Sequence, residues 1–189
     1  MVERWVFGYG SLMWAPKFSY ERKEVAVLRG FRRDFCIHSL VHRGTADKPG
    51  LVLGLRSGGS VEGMAFRVKD SDWKHVKELL REREKPGQAS WEEWVDVDLY
   101  WGGRVNALVF VTDERLPQWA GDMSLEQKCR IISSAIGRSG DNFTYLRDTV
   151  SFLEDHSLID PSISSLWKRC RQSRFCDSWH AVTQEAFDL

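Results

Sequence analysis

The sequence predicts an α+β domain whose sheet closes or nearly closes, with helices packed outside it. Two observations carry this. Short β-branched and aromatic runs bounded by turn residues fill much of the chain up to Val111, and from Ser124 onward apolar residues recur at helical spacing behind recognisable caps. A length of 189 residues, 42% of them hydrophobic, supports one substantial core.

Taken in order, Arg4-Trp5-Val6-Phe7 reads as a first strand, followed by Glu24 to Leu28 and Arg33 to Ile37 as two short ones. His38 to Gly50 is a polar connection containing Gly44 and Pro49. Leu51 to Leu55 and Val61 to Val68 follow as strands, joined by a turn at Ser57-Gly58-Gly59-Ser60. Trp73, Val76, Leu79 and Leu80 form the apolar stripe of a helix that Pro86 and Gly87 stop, and Trp94 to Trp101 pairs with Val105 to Val111 around Gly102-Gly103. Ser124 and Gln127 have the spacing of a capping box before Leu125, Ile131, Ile132 and Ala135. Asp141 or Asn142 opens the next helix, with Phe143, Leu146, Val150 and Leu153. Asp160-Pro161, a cap followed by proline at the first helical position, opens another through Ile163, Leu166 and Trp167.

Composition narrows the function classes. The 27 basic residues balance 27 acidic ones, so no overall field draws the chain to nucleic acid or an anionic membrane, and a small neutral or zwitterionic partner fits better. No leader pattern opens the sequence, and no segment has the ~20 apolar residues of a membrane span. A soluble, cytoplasmic protein is expected. Cys36, Cys129, Cys170 and Cys176 are scattered without close CxxC pairs and read as reduced thiols. Neither a metal ligand set nor a GxxxxGK phosphate loop is present.

Two places invite chemistry. The first strand runs into Gly8-Tyr9-Gly10-Ser11-Leu12, where the glycines give the backbone freedom that residues with a Cβ lack. Such a loop can turn several N–H groups toward one carboxylate or developing oxyanion, or it can simply end a strand. The second is Glu84, which follows Trp73, Val76 and Leu80 at intervals of three, four and four and so lies at the rim of the helix's apolar stripe, whereas Glu78 and Glu82 fall toward the opposite side. A carboxylate there is partly desolvated, which raises its proton affinity toward values useful in acid–base work. The alternative is a frayed last turn with Glu84 in water.

These stretches resemble the ChaC-type gamma-glutamylcyclotransferases. The matching segments are Val6 to Trp14 (VFGYGSLMW), Arg32-Arg33, His42-Arg43-Gly44 with Lys48-Pro49-Gly50, Leu79 to Gly87 (LLREREKPG), and Ser139-Gly140 with Asn142 and Tyr145-Leu146. The resemblance implies a mixed β-barrel with surrounding helices and cleavage of glutathione to 5-oxoproline and cysteinylglycine without a cofactor; residues 1–172 are expected to form that domain, and residues 173–189, which have no counterpart in it, a C-terminal extension of unknown role. Carried across, Tyr9, Gly10, Ser11 and Leu12 hold the gamma-glutamyl group and Glu84 is the catalytic carboxylate. Tyr145 is a further substrate contact or a core tyrosine, and His42 and Arg43 read as surface residues. The chain departs from the family at Gln88, where the family has tyrosine. That departure keeps open the same ring closure on other gamma-glutamyl compounds, and a binding or regulatory module that retains the pocket.

Overall fold

The chain folds into β1 (Arg4–Gly8), β2 (Arg22–Ser39), β3 (Gly50–Val68), α1 (Trp73–Glu84), β4 (Ser90–Leu99), β5 (Arg104–Thr112), α2 (Leu125–Ser134), the short pair β6 (Ile136–Gly137) and β7 (Gly140–Asp141), α3 (Asn142–Asp155) and α4 (161–173). The computed structural model describes residues 3–84 and 90–173, so Pro86-Gly87, Gln88 and the expected extension beyond Ser173 lie outside it. Five strands close into a barrel in the order β1-β3-β2-β4-β5. The sheet is mixed: β1 runs antiparallel to β3 but parallel to β5, with Trp5 opposite Ala107 and Val6 opposite Leu108.

The four short strands expected between Glu24 and Val68 are two long ones, β2 and β3. The Ser57 to Ser60 stretch does not reverse the chain. Gly30 at φ 84° on β2 lies across from Gly58 at 93° and Gly59 at 85° on β3, and the pairing steps from Arg29 opposite Ser60 to Phe31 opposite Ser57. Left-handed backbone on both strands at one level lets the ribbon bend while the ladder continues on either side. The β4–β5 connection spans residues 100–103, with Gly102 and Gly103 at positive φ and Gly102 N–H donating to Leu99 O at 3.0 Å.

Alternation along β1 sends Trp5 and Phe7 into the main core with Phe35, Leu55 and Phe66, and Val6 to the opposite face. There Val6 joins Leu108 and Phe110 of β5 beneath Val76 and Leu80 of α1, so the predicted stripe is the face on which α1 docks. On the other side of the barrel α2, α3 and α4 complete the main core through Ile132, Leu146, Val150, Ile163 and Leu166. Ser124 and Gln127 form the predicted capping box, and Asp141 caps α3 by accepting the Thr144 N–H at 2.8 Å. No helix among the described residues is long and apolar enough to cross a membrane.

With Asp141 serving as cap, Asn142 has another task. Its side chain is fully buried, its Oδ1 accepts the Leu51 N–H at 2.6 Å, and its Nδ2 donates to Leu51 O at 2.7 Å. The amide pairs with β3 as a neighbouring strand would and fixes the start of α3 against the barrel. Asn142→Ala leaves both Leu51 backbone groups buried and unpaired, at about 1–3 kcal/mol each. Urea unfolding of that variant is expected to show a loss of about 2–6 kcal/mol; a loss below about 1 kcal/mol would mean that the pairing contributes little.

Candidate active site

Directly after β1 the chain turns, with Met13 N–H donating to Gly10 O at 2.8 Å and Ala15 N–H to Ser11 O at 2.9 Å. Among the described residues the N–H groups of Gly10, Ser11 and Leu12 donate to no carbonyl. Successive unspent donors of this kind suit an anion. Glycine serves here for space, which corrects the expectation of backbone freedom: neither Gly8 nor Gly10 has a positive φ. A Cβ on Gly8 would stand 2.9 Å from the Leu12 Cβ, and one on Gly10 would stand 3.3 Å from the Tyr145 hydroxyl.

The loop is fastened on several sides. Leu12 packs with Val76 and Leu80 of α1, and the Tyr9 hydroxyl donates to Phe110 O of β5 at 2.9 Å. Arg33 of β2, its side chain 1% exposed, donates from Nη1 to Tyr9 O at 2.9 Å and from Nη2 to Glu62 O, while its Nε faces Asp160 Oδ2 at 3.0 Å. Asp160 also caps α4 by accepting the Ile163 N–H at 3.1 Å. From the last turn of α1, Arg83 donates to Ser11 Oγ at 2.6 Å and to Ala15 O at 2.8 Å.

Glu84, the next residue on α1, is half-buried and lines one pocket with Tyr9, Gly10, Ser11, Leu12 and Tyr145. The structure thus brings together all six candidate residues, drawn from the loop after β1, the end of α1 and the first turns of α3. Phe7, Leu53 and Phe110 supply apolar wall. Burial pushes the Glu84 carboxyl above the ordinary carboxylate range, and the adjacent Arg83 guanidinium pulls the other way. Burial, and after it the Glu84 charge, holds the Tyr9 phenol well above its usual value. Burial pushes Tyr145 up to about 12, opposed by a Leu53 backbone hydrogen bond. Both phenols therefore keep their protons at neutral pH.

Tyr145 is a core aromatic by surroundings, with Phe35 at 5.7 Å and Trp14 at 5.9 Å between ring centroids, yet its hydroxyl reaches the loop over Gly10. Arg43 places its guanidinium 5.3 Å from the Tyr145 ring centroid and donates to Asp141 O at 3.2 Å, so it braces the tyrosine. His42 is exposed, meets Ser139 Oγ at 2.9 Å and does not line the pocket. Reading the residues alone gave Arg33 and Arg83 no structural role. A signal for Arg33 was present, since it has the parity of buried Phe35 along β2 and so points inward.

A wider groove opens between β2 and the starts of α2 and α4, lined by Arg32, Asp34, Lys128, Ser162 and Ser165. None of the six candidate residues lines it, and Lys128 is already paired with Asp34. Among the described residues no cluster of three His, Cys, Asp or Glu side chains is placed to hold a metal, and Cys36, Cys129 and Cys170 are buried free thiols.

Comparison with known proteins agrees with this architecture. The family model described as ChaC-like protein matches residues 4–173. The chain is 37% identical over 142 residues to the glutathione-specific gamma-glutamylcyclotransferase of Escherichia coli, the match covering 75% of this chain and 62% of that one. Over 161 residues it is 37% identical to the enzyme of the same name from Schizosaccharomyces pombe, with 75% of this chain and 78% of that one covered. In fold it is similar to the crystal structure of a yeast gamma-glutamylcyclotransferase specific to glutathione, with a TM-score of 0.84 over 91% of this chain and 97% of that one at 20% sequence identity. Because the family match runs from β1 to the last turn of α4, the chain belongs to the ChaC-like protein family.

Proposed function

We propose that the protein is a gamma-glutamylcyclotransferase that cleaves glutathione to 5-oxoproline and cysteinylglycine, with Glu84 as the proton carrier. The observation that carries this reading is the meeting of Glu84 with the Tyr9 to Leu12 loop in one pocket. The names of the relatives supply the substrate class.

The chemistry needs no enzyme nucleophile. The glutamyl α-nitrogen attacks its own γ-carbonyl carbon, a five-membered ring closes, and the bond to the cysteinyl nitrogen breaks. Bending the flexible glutamyl chain so that amine and carbonyl meet removes much of the entropic barrier, which is the task of a rigid loop. The attacking nitrogen enters as ammonium and leaves as a lactam N–H, so it sheds two protons; the departing nitrogen gains two. Glu84, ionised at the outset, takes each from the first and delivers it to the second, and ends ionised. The N–H groups of Gly10, Ser11 and Leu12, which donate to no carbonyl among the described residues, bind either the substrate carboxylate or the oxyanion that forms on the γ-carbonyl. Tyr145, a protonated donor beside Gly10, adds a polar contact at the same wall.

The same pocket admits a second reading, ring closure on other gamma-glutamyl amino acids or amines, because the groups that line it address only the glutamyl part. A panel of gamma-glutamyl compounds, with 5-oxoproline release as the readout, separates the two. Glutathione turning over fastest supports the first, and an equal or better rate on another compound supports the second. Release from none of them would make the protein a binding module.

Glu84→Gln keeps the size of the side chain but cannot accept a proton, and turnover is expected to fall by at least about a hundredfold while gamma-glutamyl binding persists. Glu82, exposed on the same helix, provides the control: Glu82→Gln should keep its rate. Loss of rate in Glu82→Gln alone would place the proton carrier there, and wild-type turnover in both would remove it from α1.

The raised proton affinity of Glu84 sets a pH dependence. The carboxylate is the working form and burial favours its protonation, so kcat/KM should rise with pH through an acidic limb centred above the ordinary carboxylate value of about 4.3. A profile already flat at pH 5 would contradict a desolvated Glu84 as base.

A further inference from the structure

The guanidinium of Arg83 ties the last turn of α1 to the loop after β1 without lining the pocket. Neighbouring residues on a helix point about 100° apart. Glu84 accordingly turns into the pocket, while Arg83 turns onto the loop and bonds the Ser11 hydroxyl at 2.6 Å and the Ala15 carbonyl at 2.8 Å. These acceptors lie on either side of Leu12, whose N–H, like those of Gly10 and Ser11, donates to no carbonyl among the described residues. A guanidinium presents its donors as a rigid planar fork, so two acceptors bound at once are held at a fixed separation and a fixed distance from the helix end.

We infer that Arg83 is a positioning residue that sets the distance between the glutamyl-binding loop and the Glu84 carboxylate, through its simultaneous hydrogen bonds to Ser11 and Ala15. The inference rests on the reading of Glu84 and the loop given above. Arg83 also has an electrostatic hold on the same group. Among the described residues, the titratable side chains that act on or are acted on by Glu84 are Arg83, Tyr9 and Tyr145. Arg83 is the cation among these three, and its charge opposes the protonation that burial favours. Both phenols stay neutral and cannot replace it. One side chain therefore positions the carboxylate and favours its ionised form.

The test compares Arg83→Lys and Arg83→Met, with Glu84→Gln run beside them, by steady-state release of 5-oxoproline across pH. Lysine keeps the charge and most of the stem but cannot hold both acceptors in a fork. Its KM should rise by about tenfold through the loosened loop while the acidic limb stays in place. Methionine loses charge and fork together. Its kcat/KM should fall by about ten- to a hundredfold and its acidic limb should move to higher pH. A side chain that only supported the fold would lower the active fraction and leave both KM and the limb unmoved, and that result in both variants would overturn the inference. Should Arg83→Met fail to fold, the KM of Arg83→Lys decides alone. A silent Glu84→Gln beside wild-type Arg83 variants would defeat this inference only, whereas an active Glu84→Gln would defeat the reading on which it rests.

Discussion

The site depends on burying a guanidinium. Arg33 stands on β2 with its side chain 1% exposed, and a charge so placed is tolerated only where its donors find acceptors. Its partners come from three parts of the chain: the Tyr9 carbonyl of the loop after β1 and the Glu62 carbonyl of β3 accept its hydrogen bonds, and the Asp160 carboxylate that caps α4 supplies the opposite charge. Moving any of them away leaves the cation short of a partner at several kcal/mol. Loop, barrel wall and helix start are thereby fixed relative to one another, and Arg83 fastens the far side of the same loop to α1. Two arginines thus hold the loop after β1, Arg33 at Tyr9 and Arg83 at Ser11 and Ala15.

That grip and the chemistry share one cause. Packing Leu12 against Val76 and Leu80 holds the loop against α1, so that apolar wall partly shields Glu84 from water. Desolvation raises its proton affinity and also keeps the Tyr9 and Tyr145 phenols neutral, so the pocket combines one carboxyl group of raised proton affinity with two neutral phenols. An environment that rejects charge suits the proposed ring closure, in which protons pass from one nitrogen to the other.

Local features carried much of this in the sequence. The stripe of Trp73, Val76 and Leu80 located both the docking face of α1 and the rim position of Glu84, and the Ser124–Gln127 pair and Asp160-Pro161 marked helix starts. What local pattern misjudged depended on partners distant in sequence. Gly58 and Gly59 look like a hairpin turn until Gly30 is seen across the ladder, where all three bend two strands together. Gly8 and Gly10 look like residues chosen for backbone angle, but Leu12 and the Tyr145 hydroxyl occupy the space a Cβ would need. Asn142 reads as a cap because its pairing with Leu51 joins residues 91 positions apart. Arg33 follows the inward parity of Phe35, yet only the fold supplies the acceptors that make an inward arginine stable.

The central claim is that one gamma-glutamyl group touches both the loop and Glu84. A crystal structure of the Glu84→Gln variant soaked with glutathione tests it most directly, because ring closure is then slow enough for the intact substrate to be seen. The account predicts the glutamyl α-amine about 3 Å from the side chain at position 84, with a glutamyl oxygen on the N–H groups of Gly10, Ser11 or Leu12. Glutathione seated instead in the groove beside Arg32 and Lys128, with the loop N–H groups unengaged, would contradict it.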